Sequence, residues 1–165
     1  MQSVSEQINL ERDDAPGNKY LTFCVDEEVY AIELSRVIEI IRMQRINSVP
    51  NVPRYVRGLI NLRGRVVPVM DIRLRLGLRG RECDERTCIV VVRDASMTVG
   101  IVVDRVAGVL DIAPDRIETT SPAACGPNAF ISGLAKIDRE VKILLDVERV
   151  VRDEQMQSSH ALAAI

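Results

Sequence analysis

The sequence predicts an all-β protein of two small five-stranded barrels packed on a shared apolar core, with short helical turns and a C-terminal helix. Three observations carry that prediction. The first is an internal repeat, sought before anything else because a missed repeat miscalls the fold. Tyr30–Ile41 overlays Val99–Leu110 at an offset of 69, matching Ile32 with Ile101, Ser35 with Asp104, Arg36 with Arg105 and Val37 with Val106. Gly58–Ile72 overlays Gly133–Val147 at an offset of 75, matching Gly58 with Gly133, Val66 with Val141 and Asp71 with Asp146, so the second half carries six more loop residues. The second observation is a succession of short β-rich runs separated by turn signals. The third is composition: 47% of 165 residues are apolar, but with two Phe, three Tyr and no Trp the core must be Val, Ile and Leu.

Each element has a local reason. Leu21–Val25 and Val29–Ile32 are β-rich runs around Asp26-Glu27-Glu28, and Cys88–Val92 and Val99–Val103 repeat this around Asp94-Ala95-Ser96. A capped turn follows in each half, at Ser35-Arg36-Val37 and Asp104-Arg105-Val106, where a side-chain oxygen can accept a backbone N–H. One more strand is expected near Ile40–Ile46 and Val109–Ile112. A second hairpin then turns at Arg63-Gly64-Arg65 and at Asp138-Arg139-Glu140, Gly64 supplying the permissive dihedral in the first. Asp71 and Asp146 read as helix caps, the first opening a helical turn and the second a helix through about Glu154.

Five short strands in about 65 residues suit a closed barrel, which removes sheet edges. Such a unit alone buries only roughly 60% of its unfolded surface, against roughly 70% for the joined pair, so the two should share a core. The expected organisation is a flexible leader at 1–18, a first barrel at 19–82, a second barrel with the C-terminal helix at 83–155, and a flexible tail at 156–165.

Composition also excludes functions. No window approaches the roughly 20 apolar residues of a membrane span, and the polar start lacks a secretory signal pattern, so a cytoplasmic protein is expected. Cys24, Cys83, Cys88 and Cys125 form no CxxC pair and read as separate thiols. The only histidine, His160, stands in a Ser/Ala-rich tail, which leaves no Ser/His/Asp or Cys/His set and no Cys/His zinc spacing within the folded body. No phosphate-binding glycine loop or nucleophile elbow is present, so no catalytic residue, metal or cofactor is assigned.

Charge is uneven. Between Arg36 and Arg81 stand eleven arginines, no lysine and two acids (Glu39, Asp71), a net +9, which leaves −11 for the remainder of a chain whose overall charge is −2. An arginine-rich small barrel binding nucleic acid is one reading. The single aromatic in that stretch, Tyr55, and the overall acidity weigh against it and favour a docking face for an acidic protein.

The run Ser48–Arg73, with its Val49-Pro50, Pro53, Gly58-Leu59-Ile60-Asn61-Leu62-Arg63-Gly64 and Val67-Pro68-Val69-Met70-Asp71-Ile72-Arg73, resembles the signature of the CheW family of bacterial chemotaxis coupling proteins. The likeness extends over about residues 19 to 150. It implies two SH3-like five-stranded barrels around a shared core, no catalysis and no cofactor. The implied role is an adaptor between the cytoplasmic tips of methyl-accepting receptors and the regulatory domain of the histidine kinase CheA. Its place would be the cytoplasm, at the inner face of the membrane through receptor arrays, without membrane insertion and without nucleic acid. The resemblance places a receptor groove at the repeated turns, on Val37, Glu39, Ile40, Ile41, Val106, Val109 and Leu110. It places a partner-binding loop on Arg57, Gly58, Asn61, Leu62, Arg63, Gly64 and Arg65. Ordinary core packing of the Val and Ile residues, and a structural Arg63/Glu39 bridge, are the competing readings.

Overall fold

The computed structural model describes residues 19–95, 97–119 and 129–152. The leader at 1–18, the tail at 156–165 and Cys125 lie outside them. In chain order the elements are β1 (Lys19–Val25), β2 (Glu28–Glu33), β3 (Val37–Arg42), β4 (Val56–Leu62), β5 (Arg65–Asp71), α1 (Ile72–Arg75), β6 (Cys88–Arg93), β7 (Thr98–Val103), β8 (Arg105–Asp111), β9 (Ile117–Thr119), β10 (Ile131–Ile137), β11 (Glu140–Leu145) and α2 (Val147–Val151). Single 3-10 turns stand at Leu34–Arg36 and Pro114–Arg116. The strands form two sheets, ordered β8-β1-β2-β11-β10-β9 and β3-β6-β7-β5-β4. These are the two barrels, of the SH3-like kind expected.

The halves of the chain do not each make a barrel, however. Each sheet takes its central hairpin from one half and its flanking strands from the other: β1–β2 inserts between β8 and β11, while β6–β7 inserts between β3 and β5. The junctions β2–β11 and β5–β7 are the parallel pairs, and β1–β8 and β3–β6 are antiparallel. A boundary near residue 82 therefore separates the repeats but not the sheets. The physical reason is the brevity of the crossings: three residues join β2 to β3, and Asp104 alone joins β7 to β8, so neighbours in sequence pass directly from one sheet to the other.

The repeat extends to irregularities of register. The β3–β6 ladder slips at Ile38 and the β1–β8 ladder at Ala107; the β4–β5 ladder slips at Arg57 and the β10–β11 ladder at Ser132. These bulges fall at the repeat offsets of 69 and 75. Close backbone approaches also recur. A Cβ on Gly58 would lie 2.0 Å from the Asn47 carbonyl oxygen, and one on Gly133 would lie 2.9 Å from that of Glu118. The Asn47–Leu59 bridge is thus the first half's remnant of β9.

The predicted caps divide. Asp71 accepts from the Arg73 N–H at 2.9 Å and Asp146 from the Arg149 N–H at 3.3 Å, as expected of helix caps. The turn at Leu34–Arg36 has no side-chain cap, and Asp104 instead accepts from the distant Asp26 N–H at 2.8 Å, so the proposed Ser35 and Asp104 caps are corrected. The third strands begin earlier than expected, at Val37 and Arg105, because the connectors are short, a single 3-10 turn at Leu34–Arg36 in the first half and Asp104 alone in the second. The last helix stops at Val151 rather than near Glu154.

The core is one large apolar cluster between the sheets, with Phe23, Ile32, Val37, Ile40, Met70, Val90, Ile101 and Val150 among its members. A smaller cluster fills each barrel. Ile60, Val67, Val69, Ile89, Val91 and Val102 occupy one, and Tyr20, Ala31, Ile112, Ala135 and Leu144 the other.

Candidate functional site

The β4–β5 hairpin builds the exposed tip. Arg63 (φ 53°) and Gly64 (φ 82°) both take left-handed conformations, the two-residue turn whose twist matches that of the strands. The Asn61 side-chain oxygen accepts the Gly64 N–H at 2.9 Å and pins the turn. Held there, Arg63 extends a side chain 74% exposed, and its guanidinium meets Glu39 Oε2 at 2.8 Å. Glu39 stands on β3 immediately after the bulged Ile38, an exposed isoleucine. The bulge turns the carboxylate inward, so its side chain is only 10% exposed.

Of the loop residues expected to bind a partner, Asn61, Arg63, Gly64 and Arg65 are exposed. Leu62 leans on the barrel interior. Arg57 faces Asp71 at 3.3 Å, and Gly58 is buried under Asn47. Gly58 is therefore a packing glycine, not a contact residue. The groove set divides in the same way. Val37 and Ile40 are 1% and 0% exposed in the shared core, and a side chain with no accessible surface presents nothing to a partner. Their inclusion is corrected: the bulge at Ile38 shifts the alternation of the strand by one, so that Val37 and Ile40 both face the shared core. Ile41, Val106, Val109 and Leu110 are half-buried, so each keeps an accessible edge. Ile38, absent from the expected groove set, is exposed, because the bulge that turns it outward leaves no mark in the hydrophobic pattern.

The arginine-rich stretch does not form a free cationic face. Arg36 pairs with Glu33, Arg57 with Asp71, Arg63 with Glu39, and Arg81 with Asp84 and Asp104. Arg73 is buried, donating to Asp26 and Asp104 at 2.7 Å each and to the Arg79 carbonyl at 2.8 Å. Those hydrogen bonds and charges raise its already high pKa. Arg75 lies 4.5 Å from the centroids of both the Tyr55 and Phe130 rings and donates to the Val150 carbonyl at 3.0 Å, at the end of α2. Six of eleven arginines thus hold the protein's own carboxylates or carbonyls. Among the described residues no group of three His, Cys, Asp or Glu is placed to hold a metal, and no helix is long and apolar enough to cross a membrane.

The hairpin signature, the exchanged sheets and the inward carboxylate can be set beside known proteins. A family model described as a CheW-like domain matches residues 19–155. The chain belongs to the CheW family. It is 31% identical over 141 residues to the chemotaxis protein CheW of Klebsiella aerogenes, covering 85% of each chain. To the CheW of Thermotoga maritima it is 33% identical over 134 residues, covering 81% of this chain and 87% of that one. A crystal structure of the scaffolding protein TtCheW from Thermoanaerobacter tengcongensis superposes with a TM-score of 0.77 at 29% identity, covering 84% of this chain and 94% of that one. Membership places this CheW-family chain in the class of chemotaxis adaptors and scaffolds, and none of these relatives is named as a nucleic-acid binder. The signature of the CheW resemblance is thereby explained piece by piece: its Gly64 shapes the hairpin turn, its Gly58 lets β4 pack against Asn47, its Asp71 caps α1, and its Arg73 joins the barrels through Asp26 and Asp104.

Proposed function

We propose that this chain is a non-catalytic adaptor that couples the cytoplasmic tips of methyl-accepting receptors to the regulatory domain of the histidine kinase CheA. It would work in the cytoplasm, at the inner face of the membrane within receptor arrays. The observation that carries this reading is the match of the CheW-like domain over residues 19–155, with the signature hairpin folded so that Arg63 stands outward over Glu39. The receptor surface in this reading is the accessible edge of β3 and β8: Ile38, Glu39, Ile41, Val106, Val109 and Leu110. A helical receptor hairpin docks there by its apolar stripe. The kinase contact uses the tip Asn61–Arg65.

The mechanism is linkage. Individually weak contacts gain from effective concentration inside an array, and the receptor's state biases the kinase through its differential affinity for the adaptor. No bond is made or broken. Co-sedimentation of the purified protein with a receptor signalling-tip fragment, with and without kinase, tests the reading. Binding of the tip that recruits kinase is expected; retention of oligonucleotide with a steep salt dependence, and no tip binding, would overturn it.

A further inference from the structure

Glu39 is a carboxylate only half provided for. Its Oε2 takes the Arg63 guanidinium at 2.8 Å, but Oε1 is buried with no hydrogen-bond partner among the described residues. Glu39 is opposite Val91 in the β3–β6 ladder, and paired residues share a face of the sheet. Val91 belongs to the apolar cluster that fills the barrel with Ile60, Val67 and Ile89. The oxygen without a donor therefore stands at the rim of an apolar interior, where an unsatisfied charged group opposes folding. At the equivalent place in the second half stands Gly108, with open space where its Cβ would be, so the fold does not require a carboxylate there. Native chains keep few such groups, and each calls for a reason outside stability.

We propose that Glu39 is a partner acceptor held in waiting: a docked receptor helix displaces the exposed Arg63 and supplies an N–H donor to Oε1. This rests on the adaptor reading above and names the chemistry of its contact, a receptor side chain bearing an amide or cationic N–H placed beside the apolar residue that meets Ile38. Arg63 is suited to being displaced, since its side chain is 74% exposed and hydration replaces what it leaves.

The test uses the full chain, with Glu39→Leu and Glu39→Gln alone and in an Arg63→Ala background, measuring Tm and binding to a receptor signalling-tip fragment. Glu39→Leu is expected to raise Tm by about 2–4 °C and to weaken tip binding about tenfold or more. Glu39→Gln is expected to weaken binding with the fold intact, and both losses persist when Arg63 is already alanine. A fall in Tm or a failure of Glu39→Leu to fold would show that the carboxylate supports the fold, and overturns the proposal. So does unchanged binding, or a binding loss that disappears in the Arg63→Ala background, which would make Glu39 a positioning residue for Arg63. A wild-type protein that binds no tip at all removes the adaptor reading itself, and is recognised by the absence of binding before any substitution.

Discussion

β3 and β8 are the same strand built twice. Both follow a first hairpin after a very short crossing, both lie at the edge of a barrel, and both bulge at the same repeat position, Ile38 in one and Ala107 in the other. Their side chains differ where the bulge presents them. β3 offers an exposed isoleucine and then the inward Glu39 paired with Arg63; β8 offers alanine and then Gly108. The second hairpins differ likewise. The β4–β5 tip reaches across to Glu39, whereas at the β10–β11 tip Lys142 is satisfied locally by Glu140 at 2.6 Å. A duplicated scaffold has thus kept its backbone irregularities while only one copy carries the charged pair. Backbone geometry is common to both halves, and the two differ in a few side chains of the first.

The comparison breaks most visibly in the core. Ile40 and its repeat mate Val109 differ in depth, the first 0% exposed and the second half-buried. Ile40→Ala is expected to destabilise by about 2–5 kcal/mol and Val109→Ala by clearly less, as read from urea unfolding. Equal losses would mean that the two strands are equally central. Arg73→Met should cost about 3 kcal/mol, because it leaves the nearly buried Asp104 beside Asp26 with the longer 3.4 Å ion pair to Arg81 in place of the 2.7 Å one; a loss of a few tenths would show that the cluster is solvated rather than structural.

A pH measurement sharpens the contrast between the strands β6 and β1, which begin at the repeat mates Cys88 and Lys19. Burial pushes the Cys88 thiol up to about 11. A group whose pKa is raised by folding contributes stability that is whole below the unfolded value, near 9, and is lost as pH rises toward 11. Chemical unfolding between pH 8 and 11 should therefore show an alkaline loss on the order of 2–3 kcal/mol that Cys88→Ala lacks. The same loss in the variant would assign it to another group. The hairpin tips give the smallest effects. Arg63→Ala should change stability by about 0–1 kcal/mol while weakening kinase association in co-sedimentation and leaving receptor-tip binding in place. Glu140→Gln should leave association unchanged, since the Glu140 carboxylate, its pKa lowered by the Lys142 hydrogen bond and charge, is bound locally at the other tip. An equal effect on association at both tips would dissolve the asymmetry.

The repeat, the hairpin turns and both aspartate caps were legible in the sequence, because a turn or a cap is a local matter of a few side chains and backbone angles. The exchange of hairpins was not, since strands of either half carry the same alternation and nothing local states which sheet they join. Val37 and Ile40 illustrate the same limit within the site. Motif and spacing located the strand, but the bulge decided that Ile38 would face outward and Glu39 inward. Arg73 stood in the signature without a role, because Asp26 and Asp104, which hold it, are 47 and 31 residues away.

The order of strands also sets the order in which the protein can be completed on the ribosome. The sheet of β3, β6, β7, β5 and β4 has all its members once residue 103 has emerged, whereas the hairpin made first, β1–β2, must wait for β8 and for β11, which ends at Leu145. Until β8 has emerged, at Asp111, both its edges are open, and from there until β11 the β2 edge stays open, a template for pairing with other nascent chains. The earliest segment to be synthesised is thus among the last to be shielded, and truncation anywhere before Leu145 leaves it exposed.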